Sequence, residues 1–237
     1  MLPRTTTAGE DAFAPYPGGA VFNTAIALGR LGAPAGFFSG ISSDMFGDRL
    51  LAALAEAGVD SGPVAVSDRP TTLAFVTLED GHARYAFYDE NTAGRMLTEA
   101  DLPAPGPEVQ ALFFGGISLV AEPCGTAYEA LMARTAGARV TMLDPNIRPG
   151  FVTDEAAFRA RMERMLAMAD VVKISDEDLA WLRGPGDAEA QAAALLEAGP
   201  TAVCLTRGAG GAVGLTRSGR VEVAAPRVEV ADTVGAG

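Results

Sequence analysis

From residue 111 onward, short and almost uninterrupted apolar runs alternate with stretches of helical periodicity, and this rhythm restricts the fold more than any other feature. Residues 111–115, 139–143, 171–174 and 202–206 read as strands. Residues 124–136, 155–168 and the segments around Trp181 and Leu195 read as helices between them. Strands that are apolar on both faces belong in a parallel sheet with helices packed on both sides, because neither face can border water. The first part of the chain repeats the grammar. Residues 21–31 predict a helix, 35–40 a strand and 45–57 a helix ended by Gly58. The expectation is a doubly wound α/β fold with a mostly parallel sheet.

The rhythm changes between these halves. Residues 73–78 and 83–88 alternate large apolar with smaller or polar side chains around Asp80-Gly81, the pattern of a β-hairpin. With residues 64–66 and the opening segment through Tyr16, this predicts a small β-sheet standing off the main layer. It is either a lid or a surface decoration. A chain of 237 residues suits one large α/β domain, here divided into a lid from about 1–17 and 62–92 and a core of 18–61 and 93–237. The proline-rich run 103–107 reads as a loop.

A net charge of -12 argues against a nucleic-acid surface, which needs clustered cations, but not against a small phosphorylated ligand held by a few local donors. No stretch approaches the roughly 20 apolar residues of a membrane span. The amino terminus lacks the charged and apolar regions of a secretory signal, so the cytoplasm is the expected location. Cys124 and Cys204 have no CxxC spacing and one histidine, His82, to join them, so they read as buried thiols.

Five segments carry candidate chemistry. Gly18-Gly19 precedes the first helix and leaves backbone amides open, while Asn23 on its first turn can donate to and accept from a sugar hydroxyl. The alternative is a tight loop with Asn23 as a helix cap. Asp144-Pro145-Asn146-Ile147-Arg148-Pro149 follows a strand directly and so lies at the carboxyl end of the sheet, where ligands of open α/β sheets collect. Arg148 suits a transferring phosphate; alternatively Asp144 and Arg148 pair with each other or with neighbours. Lys173-Ile174-Ser175-Asp176-Glu177-Asp178 places acidic groups on the same edge, able to hold Mg²⁺ through water, or else Ser175 caps a helix with an acidic first turn. Thr206-Arg207-Gly208-Ala209-Gly210-Gly211 gives a nucleotide close access to backbone, although it lacks the Walker A ending and a hairpin fits it equally well. Asp232-Thr233-Val234-Gly235-Ala236-Gly237 offers successive small-residue amides suited to an anion nest.

Taken in order, these segments resemble the PfkB (ribokinase-like) carbohydrate kinase family. Gly18 to Asn23 with Gly40 to Gly47 is similar to its first signature, and Asp232 to Gly237 to the start of its second. Tyr85 to Tyr88 and Asp144 to Pro149 look most like bacterial fructokinases. The resemblance spans essentially the whole chain. It implies a ribokinase-like domain with a β-lid and ATP-dependent phosphorylation of a sugar hydroxymethyl group, fructose first. The alternatives are 2-keto-3-deoxygluconate or another sugar of the same family, or a catalytically dead sugar- or nucleotide-binding protein. Position by position, it implies that Gly18, Gly19 and Asn23 bind sugar and that Arg148 sits near the transferred phosphate. Lys173, Ser175, Thr206, Gly208 and Gly211 would line the ATP site, with Asp178 organising Mg²⁺ through water. Ser175 and Asp178 stand where the family often has Asn and Glu. Gly235, Ala236 and Gly237 would form the anion hole, with Asp232 and the Val234 carbonyl on a monovalent cation such as K⁺. The family's general-base Asp follows that Gly-Ala-Gly, and a first strand bearing a sugar-binding Asp precedes the lid; neither is among these residues. The expectation is therefore a piece of a longer kinase, inactive as residues 1–237 alone. The partners implied are small molecules, with a homodimer formed through the lid sheet.

Overall fold

The computed structural model describes residues 1–79 and 82–227, which fall into two compact units, one ending at Pro103 and the other beginning at Ala104. Each is built by its own local logic.

In the first unit, β1 (Leu2–Thr5) and β2 (Asp11–Ala14) form an antiparallel hairpin. A second antiparallel pair follows later, β5 (Leu73–Glu79) with β6 (His82–Tyr88), as the alternation in the sequence predicts. The two hairpins are joined at Met1, whose ammonium donates to Ala74 O at 2.7 Å and whose carbonyl accepts from Val76 N at 3.0 Å. Phe75 meets Phe13 and Tyr88 edge-on, with ring centroids 5.1 and 5.6 Å apart. Phe13 and Tyr88 remain 43% and 62% exposed, so these two hairpins carry an aromatic surface.

Between the hairpins lie α1 (Ala20–Arg30), β3 (Gly40–Ser42), α2 (Met45–Glu56) and β4 (Ala65–Ser67). Phe22, Ala25, Phe37, Ile41, Leu54, Ala57 and Val59 make their shared core. Asp44 starts α2 by accepting from Phe46 N and Gly47 N, and the same carboxylate takes the Thr71 N–H and hydroxyl, tying the entry to β5 onto the helix end. Two expectations are corrected here. Residues 64–66 were expected in the stand-off sheet, but β4 pairs in parallel with β3, because α2 connects the two as a βαβ crossover. The strand expected over 35–40 contributes only Gly40 to β3. Residues 35–39 instead make a lone bridge, Gly36 to Asp60, because the turn at 61–64 interrupts the partner strand and breaks the ladder.

The second unit is a six-stranded sheet in the order β12-β11-β10-β9-β8-β7. Its parallel strands are β7 (Ala111–Gly115), β8 (Val140–Asp144), β9 (Val171–Ser175) and β10 (Ala202–Thr206). Then β11 (Ala212–Thr216) and β12 (Gly219–Val223) continue it antiparallel. The crossovers are α3 (Cys124–Thr135), α4 (Glu155–Met168), and α5 (Asp176–Arg183) with α6 (Ala188–Ala198). Because strand order follows chain order, right-handed crossovers put these described helices on one face of the sheet. That face is fully buried through Leu143, Val172, Ile174, Val203 and Leu205, whereas Lys173 and Cys204 on the other are half-buried. The class is the expected one, α/β with a mostly parallel sheet. No described helix is long and apolar enough to cross a membrane.

Candidate active site

The parallel strands of the second unit end together, and the register sets what stands at that edge. Gly115 lies opposite Asp144, and Ser175 opposite Thr206. Ser175 is the N-cap of α5: its Oγ accepts from Asp178 N at 3.0 Å, and Asp176, Glu177 and Asp178 supply an acidic first turn that the helix dipole favours. The capping role foreseen for Ser175 is therefore present.

Asp144, at the last position of β8, is 7% exposed. It does not pair with Arg148; its Oδ2 lies 3.1 Å from Lys173 Nζ on the adjacent strand. Burial pushes the Asp144 carboxyl above the ordinary range. The Lys173 charge and hydrogen bond pull it back, the nearby Asp178 carboxylate raises it again, and the Asn146 N–H lowers it. Its Oδ1 is buried with no hydrogen-bond partner in the structure. Lys173, expected on the nucleotide, is thus held by a carboxylate at the same edge. It is also the only lysine among the 237 residues.

After β8 the chain turns through Asn146, which adopts φ 44, and Ile147 N donates to Asp178 Oδ1 at 3.0 Å. Arg148 follows, exposed, with Nη1 donating to Ile147 O at 2.9 Å. After β10, residues 207–211 form a tight turn closed by Arg207 N to Gly211 O and Gly211 N to Gly208 O. The hairpin reading of this segment is present, since β11 returns antiparallel to β10. Gly211 sits at φ 83, where an added Cβ would stand 2.1 Å from Val223 O. The space over Gly208 is open, with nothing within 4 Å of where its Cβ would be. Arg207 is turned to Glu222 on β12 at 2.7 Å.

The expected sugar-side residues lie in the first unit. Gly19 is the N-cap of α1 at φ 117, a conformation suited to glycine, and makes no side-chain cap. The cap alternative for Asn23 is overturned: it stands a turn into α1, with Asn23 N bonded to Gly19 O at 2.8 Å and its side chain exposed. Gly18 beside it has open space. Asp232, Val234, Gly235, Ala236 and Gly237 lie outside the described residues. Among the described residues no group of three or more His, Cys, Asp or Glu side chains is placed to hold a metal ion. The Asp144–Lys173 tie and the reach of Asp178 to Ile147 were missed in the sequence. The available signal was register, since both tied residues sit near the carboxyl ends of neighbouring parallel strands.

The model of the pfkB family of carbohydrate kinases matches residues 4–237. A fructokinase of Rhizobium leguminosarum bv. trifolii is 57% identical over 237 residues, all of this chain and 73% of that protein. Fructokinase-1 of Oryza sativa subsp. japonica is 38% identical over 95% of this chain and 72% of its own length. Among solved structures, the fructokinase of Xylella fastidiosa superposes with a TM-score of 0.85 at 29% identity, over 94% of this chain and 74% of that one. The fructokinase of Vibrio cholerae O395 with fructose, ADP and calcium ion bound gives 0.86 at 26% identity, over 100% of this chain and 76% of that one.

Proposed function

The chain belongs to the pfkB family of carbohydrate kinases, and from that premise we propose that it transfers the terminal phosphate of ATP to a hydroxymethyl oxygen of fructose. The observation that supports this reading is the carboxyl edge of the second unit: Ser175 on β9 stands opposite Thr206 on β10, Lys173 lies two residues before Ser175, and Arg148 is on the loop after β8. Two cations and two hydroxyls on one sheet edge suit a triphosphate, and the open surface over Gly208 suits the approach of a nucleotide. Fructose is favoured over other sugars by the fructokinases to which the chain is similar.

The family implies ATP with a divalent metal, and the residues present fit both. A Mg²⁺ ion keeps most of its waters and rides on phosphates, so it needs no cluster of three carboxylates; its waters would meet Asp176 and Glu177, which the first turn of α5 leaves at least partly open to solvent. When bound it would neutralise charge on the transferring phosphate. The rest falls to this chain's residues. Arg148 presents a guanidinium to the phosphate, where its planar fork is worth more than a point charge. Lys173 supplies a second positive charge, kept in place by Asp144. Thr206, Gly208 and Gly211 shape the nucleotide's seat. In the first unit, Gly18, Gly19 and Asn23 receive sugar hydroxyls, and the hairpins built on β1–β2 and β5–β6 act as a lid that excludes water from the sugar. Gly235, Ala236 and Gly237 are proposed as the anion hole, with Asp232 and Val234 on a monovalent ion such as K⁺. The exposed aromatic surface of the lid is proposed to pair with a second copy. A cytoplasmic location suits an enzyme that draws on ATP.

A coupled ADP-release assay across a sugar panel, paired with calorimetric binding, tests the proposal. Fructose is expected to give the highest kcat/KM. A preference for 2-keto-3-deoxygluconate would reassign the substrate, and sugar binding with no ADP release would make the protein a binding module.

A further inference from the structure

Asp178 is the acid expected to organise the metal, yet its surroundings point elsewhere. The residue is 6% exposed, and its carboxylate is turned back across the sheet edge from α5 to the loop after β8, where Oδ1 accepts from Ile147 N at 3.0 Å. Its own N–H is already taken by Ser175 Oγ, which fixes the start of the helix that carries it. Ile147 N–H is thus consumed by a buried acid from a different element. The left-handed turn at Asn146, φ 44, immediately precedes that amide, and the buried Ile147 side chain anchors the loop. The next residue is Arg148, exposed, with one bond to its own loop carbonyl.

We infer that Asp178 is a positioning residue: it acts through the Ile147 amide to fix where Arg148 stands on the edge, and its negative charge is not what the divalent ion requires. Where the family often carries Glu, the shorter Asp keeps the carboxylate against the amide. This inference rests on reading the edge as a phosphoryl-transfer site. A misplaced guanidinium lowers the chemical step more than it lowers ground-state binding, because oriented donors matter most as charge shifts in the transition state.

The test compares Asp178→Asn, Asp178→Ala, Arg148→Ala and the double alanine variant in the intact kinase. Asparagine keeps an acceptor for Ile147 N–H and removes the charge. Asp178→Ala is expected to lower kcat by about ten-fold or more, with Asp178→Asn recovering most of that loss and leaving the Mg²⁺ activation midpoint unmoved. The double variant should be no slower than Arg148→Ala alone. Hydrogen exchange without ligands should speed up in the peptide spanning 145–149 for Asp178→Ala and not for Asp178→Asn. A shift of about ten-fold in the Mg²⁺ midpoint for Asp178→Asn, additive losses in the double variant, or unchanged exchange in Asp178→Ala would each overturn the inference. If no sugar is phosphorylated at all, the functional reading fails, while the exchange arm still decides whether Asp178 holds the loop.

Discussion

Replacing Asp44 should cost the first unit more than a surface carboxylate ordinarily does. One carboxylate accepts four hydrogen bonds: Phe46 N at 2.9 Å and Gly47 N at 2.8 Å close the N-terminus of α2, and Thr71 N at 2.9 Å and Thr71 Oγ1 at 2.7 Å hold the approach to β5. Losing the cap costs about 1 kcal/mol. Each of the two Thr71 donors loses a bond to a charged acceptor, about 1.5 kcal/mol apiece. Water reaches this half-buried site and returns part of that, leaving a net loss of about 3 kcal/mol for Asp44→Ala. Asp44→Asn, which keeps the cap and one Thr71 contact, should lose about 1 kcal/mol. In a chain of this length, about 3 kcal/mol lowers Tm by roughly 6–12 °C. The pH dependence follows from the carboxyl itself. Burial pushes it up, but the hydrogen bonds from Thr71, Gly47 and Ser42 outweigh that and bring it to about 2. A depressed carboxyl contributes stability above its unfolded value of 3.8 and loses it as pH falls through the folded value. The gap between wild type and Asp44→Asn should therefore be widest near neutral pH and narrow from about pH 4 downward. Urea unfolding near pH 7 and near pH 3 measures it. An Asp44→Ala loss below about 1 kcal/mol, or an equal gap at both pH values, would refute the assignment.

Lys173→Met should strand the buried Asp144 charge, costing about 2–3 kcal/mol at neutral pH. Because burial already raises the Asp144 carboxyl, its contribution is present at low pH and lost as pH rises through the folded value. The Lys173→Met deficit should therefore grow with pH, and adding Asp144→Asn should remove most of it in denaturant melts. Gly211→Ala forces a Cβ toward Val223 O at φ 83, so a loss of about 2 kcal/mol or more is expected, with a raised KM for ATP; a neutral melt would contradict it. Asn23→Ala, which removes no cap, should change stability by less than about 0.5 kcal/mol yet raise KM for fructose without raising that for ATP. Equal changes in both KM values would sink the sugar role.

What could be read from the sequence was whatever a local period or turn encodes. Apolar runs located β7 to β10, alternation located β5 and β6, and Ser175 ahead of an acidic turn announced its own cap. The pairings across the chain were not legible in that way. Residues 64–66 carry a generic strand signal, and only the crossover through α2 decides that they join β3. The strands predicted at 139–143 and 171–174 each stop one residue short, because Asp144 and Ser175 look like loop residues until the sheet edge is seen to be polar. Losing those end positions hid the contact between Asp144 and Lys173, and with it the restraint on the lysine. Asp178 was legible as an acid at the edge, but its direction depends on the left-handed turn at Asn146 some thirty positions earlier.

The Asp144–Lys173 pair on β8 and β9 also makes the protein unusually addressable. With a single lysine in these residues, reductive methylation with a ¹³C label would place a side-chain probe at Lys173, apart from the amino terminus, and its chemical shift would read the Asp144 contact directly. Adding a nucleotide should move that one signal, whether or not turnover follows, which separates occupancy of the site from catalysis in the same tube.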